Sequence, residues 1–270
     1  MNQSPELKPF LKWAGGKRWL VQRHANLIPA AYKRYMEPFL GSAAVFFHLK
    51  PERSVLSDTN GELINAYQAI KDDWVRVHRH LLAHHRNHNK GYYYLIRDST
   101  PRNDYTRAAR FIYLNRTCWN GLYRVNLDGQ FNVPKGTKDS VVLDTDNFAA
   151  IASGLKGAQL LVADFEETIN KAEKGDLVFV DPPYTVKHES NGFIKYNEKL
   201  FHWDDQVRLH AVLLSAQERG ATILLTNASH ESIRMLYEES FEVLPVHRPS
   251  LIAANPQCRK TSEEFVIRSR

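Results

Sequence analysis

No stretch of this 270-residue chain holds the about 18 consecutive apolar residues that a bilayer-spanning helix needs, so that class is excluded. The segment Met1 to Phe10 carries no apolar signal core, which makes the cytoplasm of a bacterial cell (or of the host of a phage or plasmid) the expected location. Cysteine is scarce. Cys118 and Cys258 are too few for a disulfide framework or a four-cysteine zinc site. Internal repeats and low-complexity tracts are missing, which argues against a solenoid or a disordered chain. A G-x-G-x-x-G cradle is also missing, so a pyrophosphate-bearing dinucleotide is poorly supported. His78, His80, His84, His85 and His88 crowd one stretch, and His80 and His84 have an i, i+4 spacing. No H-E-x-x-H sequence or supporting acid accompanies them, so they read as a solvated helix face and no metal is expected.

What is present suits a globular protein: 43% hydrophobic and 24% charged residues, enough for one large domain or two modest ones. A formal charge of +6 is weak evidence for a polyanionic partner. Its distribution says more. Arg107, Arg110, Arg116 and Arg124 fall among Phe111, Tyr113, Trp119 and Tyr123, the mixture that a phosphate backbone with accessible bases would require.

In chain order, Tyr35–Leu40 reads as a strand, Gly41-Ser42 opens a helix to about Lys50, and Ser54–Asp58 is a second strand ending in an acid. Thr59-Asn60 can cap a long helix whose Leu63, Tyr67, Ile70, Trp74, Val77 and Leu81 make one apolar stripe. Residues 89–117 read as two helices, and Gly121–Pro134 as a β-hairpin turning at Asp128-Gly129. The βα alternation then resumes with strands at Gln159–Ala163, Leu177–Val180 and Ala221–Leu225. Helices are expected near 145–155, after Asp164, and over Asp204–Arg219 and His230–Glu239, with a loop at 185–203. Phe241–Val246 and Glu264–Ile267 complete the strands. This is an α/β pattern with a doubly wound, mostly parallel sheet interrupted by an inserted block.

Two places carry chemistry. Gly41, after the first strand, lets backbone approach a ligand closely, and Asp58 at the next strand tip suits a ribose hydroxyl pair. A nucleoside held without a phosphate cradle suggests S-adenosylmethionine. The apolar strand Leu177–Val180 ends abruptly in Asp181-Pro-Pro-Tyr184, which crowds a carboxylate, prolyl carbonyls and a ring at the C-terminal edge of the sheet.

Lys12-Trp-Ala-Gly-Gly-Lys17, Glu37-Pro-Phe-Leu-Gly41, Asn115-Arg-Thr-Cys-Trp-Asn-Gly-Leu-Tyr-Arg124, Phe131-Asn-Val-Pro134 and Asp181-Pro-Pro-Tyr184 stand in one order. Together they resemble the Dam-type (D12 class) S-adenosylmethionine-dependent DNA adenine methyltransferases, over roughly residues 7 to 267. One departure is visible: Ala43 stands where the family's Phe-x-Gly-x-Gly motif has its second glycine.

The resemblance implies a Rossmann-like catalytic methyltransferase domain at 1–60 and 145–270. A target-recognition domain at 61–144 is implied with it, built of helices plus the hairpin near 117–135. It implies cofactor contacts from Trp13, Lys17, Phe39, Gly41, Asp58 and Asp181, with Asp164 and Phe165 at the adenine of the cofactor. Arg124 is similar in position to an arginine that reads a guanine, and Lys12 to a lysine near the first base. Arg116 matches a phosphate contact, and Trp119 and Asn120 the residues that fill the space of an extruded base. The match around Leu122, Arg124 and Pro134 points to GATC in double-stranded DNA, with a monomer as the expected state.

Geometry supplies the mechanism. A base inside a duplex cannot present its amino group to a methyl donor and has to be flipped out. Asp181 and the Pro182 carbonyl would accept the two amino hydrogens, and Tyr184 would stack on the ring. Cys118 reads as a small packed residue. The alternatives are an amino-methyltransferase acting on cytosine or RNA, and a catalytically silent DNA-binding partner subunit.

Overall fold

The computed structural model describes residues 7–126, 128–186, 201–249 and 261–270. The chain forms two compact units. One comprises Met1–Ala25, Leu40–Glu52 and Asp58–Val162, the other Asn26–Phe39, Arg53–Ser57 and Ala163–Arg270.

The first unit is helical, with α1 (Arg18–Arg23), α2 (Ala44–Leu49), α3 (Gly61–Asn87), α4 (Lys90–Asp98), α5 (Asp104–Thr117) and α6 (Phe148–Gly154), then the strand β3 (Ala158–Val162). Asparagine starts four of these helices. Asn60, Asn89, Asn103 and Asn147 each accept a backbone N–H of the first turn through the side chain. Such a cap contributes about 1 kcal/mol by satisfying a donor with no helical partner. The stripe expected on α3 is largely as read: Leu63, Tyr67, Ile70, Val77 and Leu81 are fully buried, whereas Trp74 is half-buried. The reason lies one residue earlier. Asp73 leaves the helical region (φ −154°, ψ 80°), so α3 kinks immediately before Trp74. α5 packs along α3, and its last turns, Phe111 to Thr117, are buried on every side.

The expected β-hairpin at 121–134 is one in outline only. Asn126 N–H donates to the Gln130 carbonyl at 2.8 Å around a turn in which Gly129 takes φ +75°, and Val125 bridges Phe131. A second isolated bridge joins Cys118 to Lys135. Apart from that bridge no ladder forms over 121–126 and 128–134, where Phe131 and Val133 are buried but Leu122 and Val125 stay exposed.

The second unit holds the sheet. β1 (Arg34–Glu37), β2 (Ser54–Asp58), β4 (Asp176–Val180) and β5 (Thr222–Ala228) run parallel, and β7 (Thr261–Arg268) and β6 (Glu242–Pro249) add an antiparallel edge. Within this unit the strand order is β2-β1-β4-β5-β7-β6. Every residue of β4 is buried, as its unbroken apolar run requires of a central parallel strand. Helices α7 (Phe165–Ile169), α8 (Trp203–Glu218) and α9 (Glu231–Tyr237) belong to this unit. The fold is thus α/β with a mostly parallel mixed sheet. β6 and β7 run past the ends expected from sequence, since each supplies the other's ladder from Glu242↔Arg268 to Pro249↔Thr261. Most of the loop expected at 185–203 lies outside the described residues.

Candidate active site and nucleic-acid interface

From β1 the chain steps outward to β2 and later returns to the other side of β1 as β4, so the strand order reverses between β1 and β4. At such a reversal the connections diverge and leave a crevice beyond the strand ends. Phe39 lies two residues past the end of β1, and Asp181 follows the last residue of β4 directly. The Thr226 hydroxyl on β5 donates to Asp181 Oδ1 at 2.9 Å. Pro182 is buried. The Tyr184 hydroxyl donates to Glu264 Oε2 at 2.7 Å, and Glu264 Oε1 pairs with Arg248 Nε at 2.7 Å. Burial, then the charges of Asp181 and Glu264, push the Tyr184 phenol well above its usual range, so it stays a neutral donor.

The same unit brings Phe39 and Phe165 together, stacked with centroids 5.5 Å apart. Asp164 caps α7 by accepting the Glu166 N–H. Arg208, on α8, holds both oxygens of Asp164 at 2.8 and 3.2 Å and lies 4.1 Å over the Phe165 ring. Its guanidinium is held more firmly charged by Asp164, Glu166 and Asp205.

In the first unit, Asp58 accepts the Gly41 N–H at Oδ2 (3.3 Å) and the Asn60 N–H at Oδ1 (3.0 Å). Burial pushes the Asp58 carboxyl up, and these backbone donors partly offset the shift. Gly41 takes φ +46°, and a Cβ there would sit 2.8 Å from Trp13 Cδ1, so this glycine exists to let the indole lie against backbone. Lys17 is buried, its ammonium donating to the Gly15 carbonyl at 2.6 Å. Ala43 has φ +54°, a left-handed conformation natural to glycine, which accounts physically for the glycine expected there.

The expected recognition residues divide. Trp119 (51% exposed) and Leu122 (40%) present large apolar surface, and Asn120, Arg124 and Pro134 are exposed. The Pro134 carbonyl accepts the Trp119 N–H at 2.9 Å, and Arg124 Nε donates to Asn132 at 2.8 Å, which joins the two motifs into one surface. Lys12 exchanges two backbone–amide bonds with Asn115, and burial, then Lys138, depresses its ammonium.

Arg116 is a correction. It is 1% exposed, bonded bidentately to Asp146 at 2.6 Å and to the carbonyls of Phe10 and Val141, so it is structural and cannot reach a phosphate. Nor does the arginine cluster act as one. Arg107 pairs with Glu62 and Asp104, and Arg110 bonds the carbonyls of Ile96 and Arg97, leaving Arg124 as the exposed member.

Among the described residues no group of three or more His, Cys, Asp or Glu is arranged to hold a metal ion. His84 instead bonds the Tyr92 hydroxyl at 2.8 Å and stacks on Tyr113. Cys118 is buried and pushed up to about 11, too high for a nucleophilic thiolate. Sequence reasoning missed Thr226, Glu264, Arg248 and Arg208. None sits in a motif: Thr226, Glu264 and Arg208 meet Asp181, Tyr184 and Asp164 across 45, 80 and 44 residues of chain, and Arg248 meets Glu264 from the strand paired with it.

Comparison with known families decides the class. The model of the D12 class N6 adenine-specific DNA methyltransferases matches residues 13–250. The chain belongs to this family. It is 34% identical over 270 residues to the type II methyltransferase M1.LlaDCHI of Lactococcus lactis subsp. cremoris, covering 97% of this chain and 95% of that one. It is 35% identical to the DNA adenine methylase of Serratia marcescens, covering 86% and 88%. A D12-class enzyme methylates adenine in DNA, so the opening motif resemblance is secure at the level of family and reaction class. No described helix is long and apolar enough to cross a membrane.

Proposed function

We propose that this D12-class enzyme transfers a methyl group from S-adenosylmethionine to N6 of an adenine extruded from duplex DNA, within GATC, acting as a monomer. The observation that carries the reading is the Asp181-Pro-Pro-Tyr184 turn directly after β4, beside Phe39 after β1, at the reversal of the strand order.

The residues present fit a sulfonium nucleoside. Asp58 accepts the backbone N–H groups of Gly41, Thr59 and Asn60 yet, with about four lone-pair sites, keeps capacity for a ribose hydroxyl. Lys17 offers a cation for a carboxylate, and the half-buried Phe39, backed by the buried Phe165, offers aromatic surface for a purine in the unit that holds the Asp164 carboxylate. Trp13 and Gly41 complete the proposed binding set, together with Asp181.

S-adenosylmethionine, when bound, supplies a methyl group on a cationic sulfur that leaves with the bonding pair as a neutral thioether. Asp181 and the Pro182 carbonyl accept the two amino hydrogens of adenine, which draws its lone pair out of ring conjugation. Tyr184 stacks on the flipped ring and holds the nitrogen in line. The nitrogen exchanges one hydrogen for the methyl group, and that hydrogen leaves as a proton past Asp181 to solvent. Segment 61–144 reads the target. Arg124 takes a guanine edge, Lys12 the first base, Leu122 and Pro134 line the site, and Trp119 with Asn120 fills the vacated stack.

Methylation of a mixed-sequence plasmid, followed by sequencing that maps modified adenines, tests acceptor, chemistry and site together. Modification confined to the adenine of GATC is expected. Modified cytosines, or adenines in unrelated contexts, would overturn the reading.

A further inference from the structure

We infer that Thr226 and Glu264 are positioning residues for the two reactive side chains of Asp181-Pro-Pro-Tyr184. The inference rests on the reading above, in which Asp181 receives the amino hydrogens and Tyr184 stacks on the base.

Thr226 lies in the buried run of β5 and has no exposed surface. Its hydroxyl has one proton, with Asp181 Oδ1 at 2.9 Å and the Val180 carbonyl at 3.5 Å among the acceptors in range, beside the Tyr184 phenol. The carboxylate is the nearer and the charged acceptor, so the proton belongs there. A bond to one named oxygen fixes rotation of the carboxylate about its last torsion, one that is otherwise broad and nearly two-fold. The plane in which Asp181 accepts hydrogens is thereby set from β5.

Tyr184 is held by its other end. A tyrosine ring fixed only at Cα can tilt through its two side-chain torsions, but this ring also has its hydroxyl tied to Glu264 on β7. Glu264 is 3% exposed, and its second oxygen is occupied by Arg248 on β6. A carboxylate buried this deeply is costly unless its partners are well placed, and a simple strand pair has no need of one. Both antiparallel strands therefore contribute to the angle of one ring. Stacking on a flipped base depends on that angle more than on any other property of the ring.

The test is kinetic, on the full-length enzyme with a GATC duplex. T226V removes the hydroxyl with little change of shape and is expected to lower kcat by about 10- to 100-fold, the cost of a small misplacement at a reacting centre. KM for DNA and for S-adenosylmethionine should stay within about twofold, because a positioning defect acts on the transition state rather than on binding. T226S, which restores the hydroxyl, should recover most of kcat. If T226V does not fold, T226A carries the same comparison. For the second position, Y184F, E264Q and the double variant form a cycle. Loss of one shared bond predicts a double variant no slower than the worse single one, together with a changed fluorescence quench of 2-aminopurine placed at the target adenine.

Wild-type kcat in T226V, or strictly additive effects in the cycle, overturns the inference. D181A in the same assay separates the two levels. An inactive D181A with a normal T226V removes only the positioning role, whereas an active D181A removes the underlying mechanism.

Discussion

At Gly41 a single methyl group has nowhere to go. Its φ of +46° disfavours any side chain, and the added carbon would stand 2.8 Å from the Trp13 ring. Gly41→Ala is expected to cost about 2–4 kcal/mol from left-handed strain and overpacking. A lowered denaturation midpoint in urea is the readout. Ala43, two residues on, already bears the strain at φ +54°, yet its buried methyl returns about 0.8 kcal/mol by leaving water, so the alanine is tolerated. His84 gives a pH signature. Burial, with His80 and Arg110 close by, lowers it from 6.5 to about 4, while Tyr92 and Tyr113 pack against it. The folded state therefore prefers neutral imidazole. Its contribution is complete above the unfolded value near 6.5 and is lost as pH falls from there toward 4. Unfolding free energy should drop across that window by roughly 2–3 kcal/mol on this account, and His84→Gln should flatten the drop, as followed by chemical denaturation at several pH values.

Among elements, α5 shows how far a sequence can be read. Residues 89–117 read as two helices and α5 is the second of them, just as Asn60 and the stripe announce α3, because helical patterning and capping are local. The Asp73 kink and the burial of Arg116 are not local. An arginine in an aromatic stretch reads as an exposed cation by composition, and only the arrival of Phe10, Val141 and Asp146 from distant segments makes it internal. Arg116→Lys keeps the charge but not the planar fork, so Asp146 and the carbonyls lose donors. A loss of about 1–3 kcal/mol in unfolding free energy is expected from the unsatisfied acceptors. Thr226 and Glu264 were illegible for the same reason. The tetrapeptide is visible from its prolines, but what holds it comes from strands whose pairing no short window records.

On the scale of the whole molecule, the proposed chemistry and the proposed selection draw on different segments, so the two should separate in experiment. Arg124 is exposed, with Asn132 as its described side-chain partner. Arg124→Ala is expected to cost about 1–3 kcal/mol of discrimination at one guanine while leaving the methylation rate on near-cognate sites similar. Competition between GATC and single-substitution duplexes measures this, and an unchanged ratio would remove the guanine-reading role.

The link from Tyr184 to Glu264 has a consequence in time as well as in space. Eighty residues separate the two, so during synthesis the Asp181-Pro-Pro-Tyr184 turn is made long before the carboxylate that holds its ring. β5 can pair with β4 as soon as both have left the ribosome, but the antiparallel edge closes only when β7 arrives. A nascent or proteolytically shortened chain that lacks β7 therefore carries the whole recognisable motif without the bond that fixes its tyrosine.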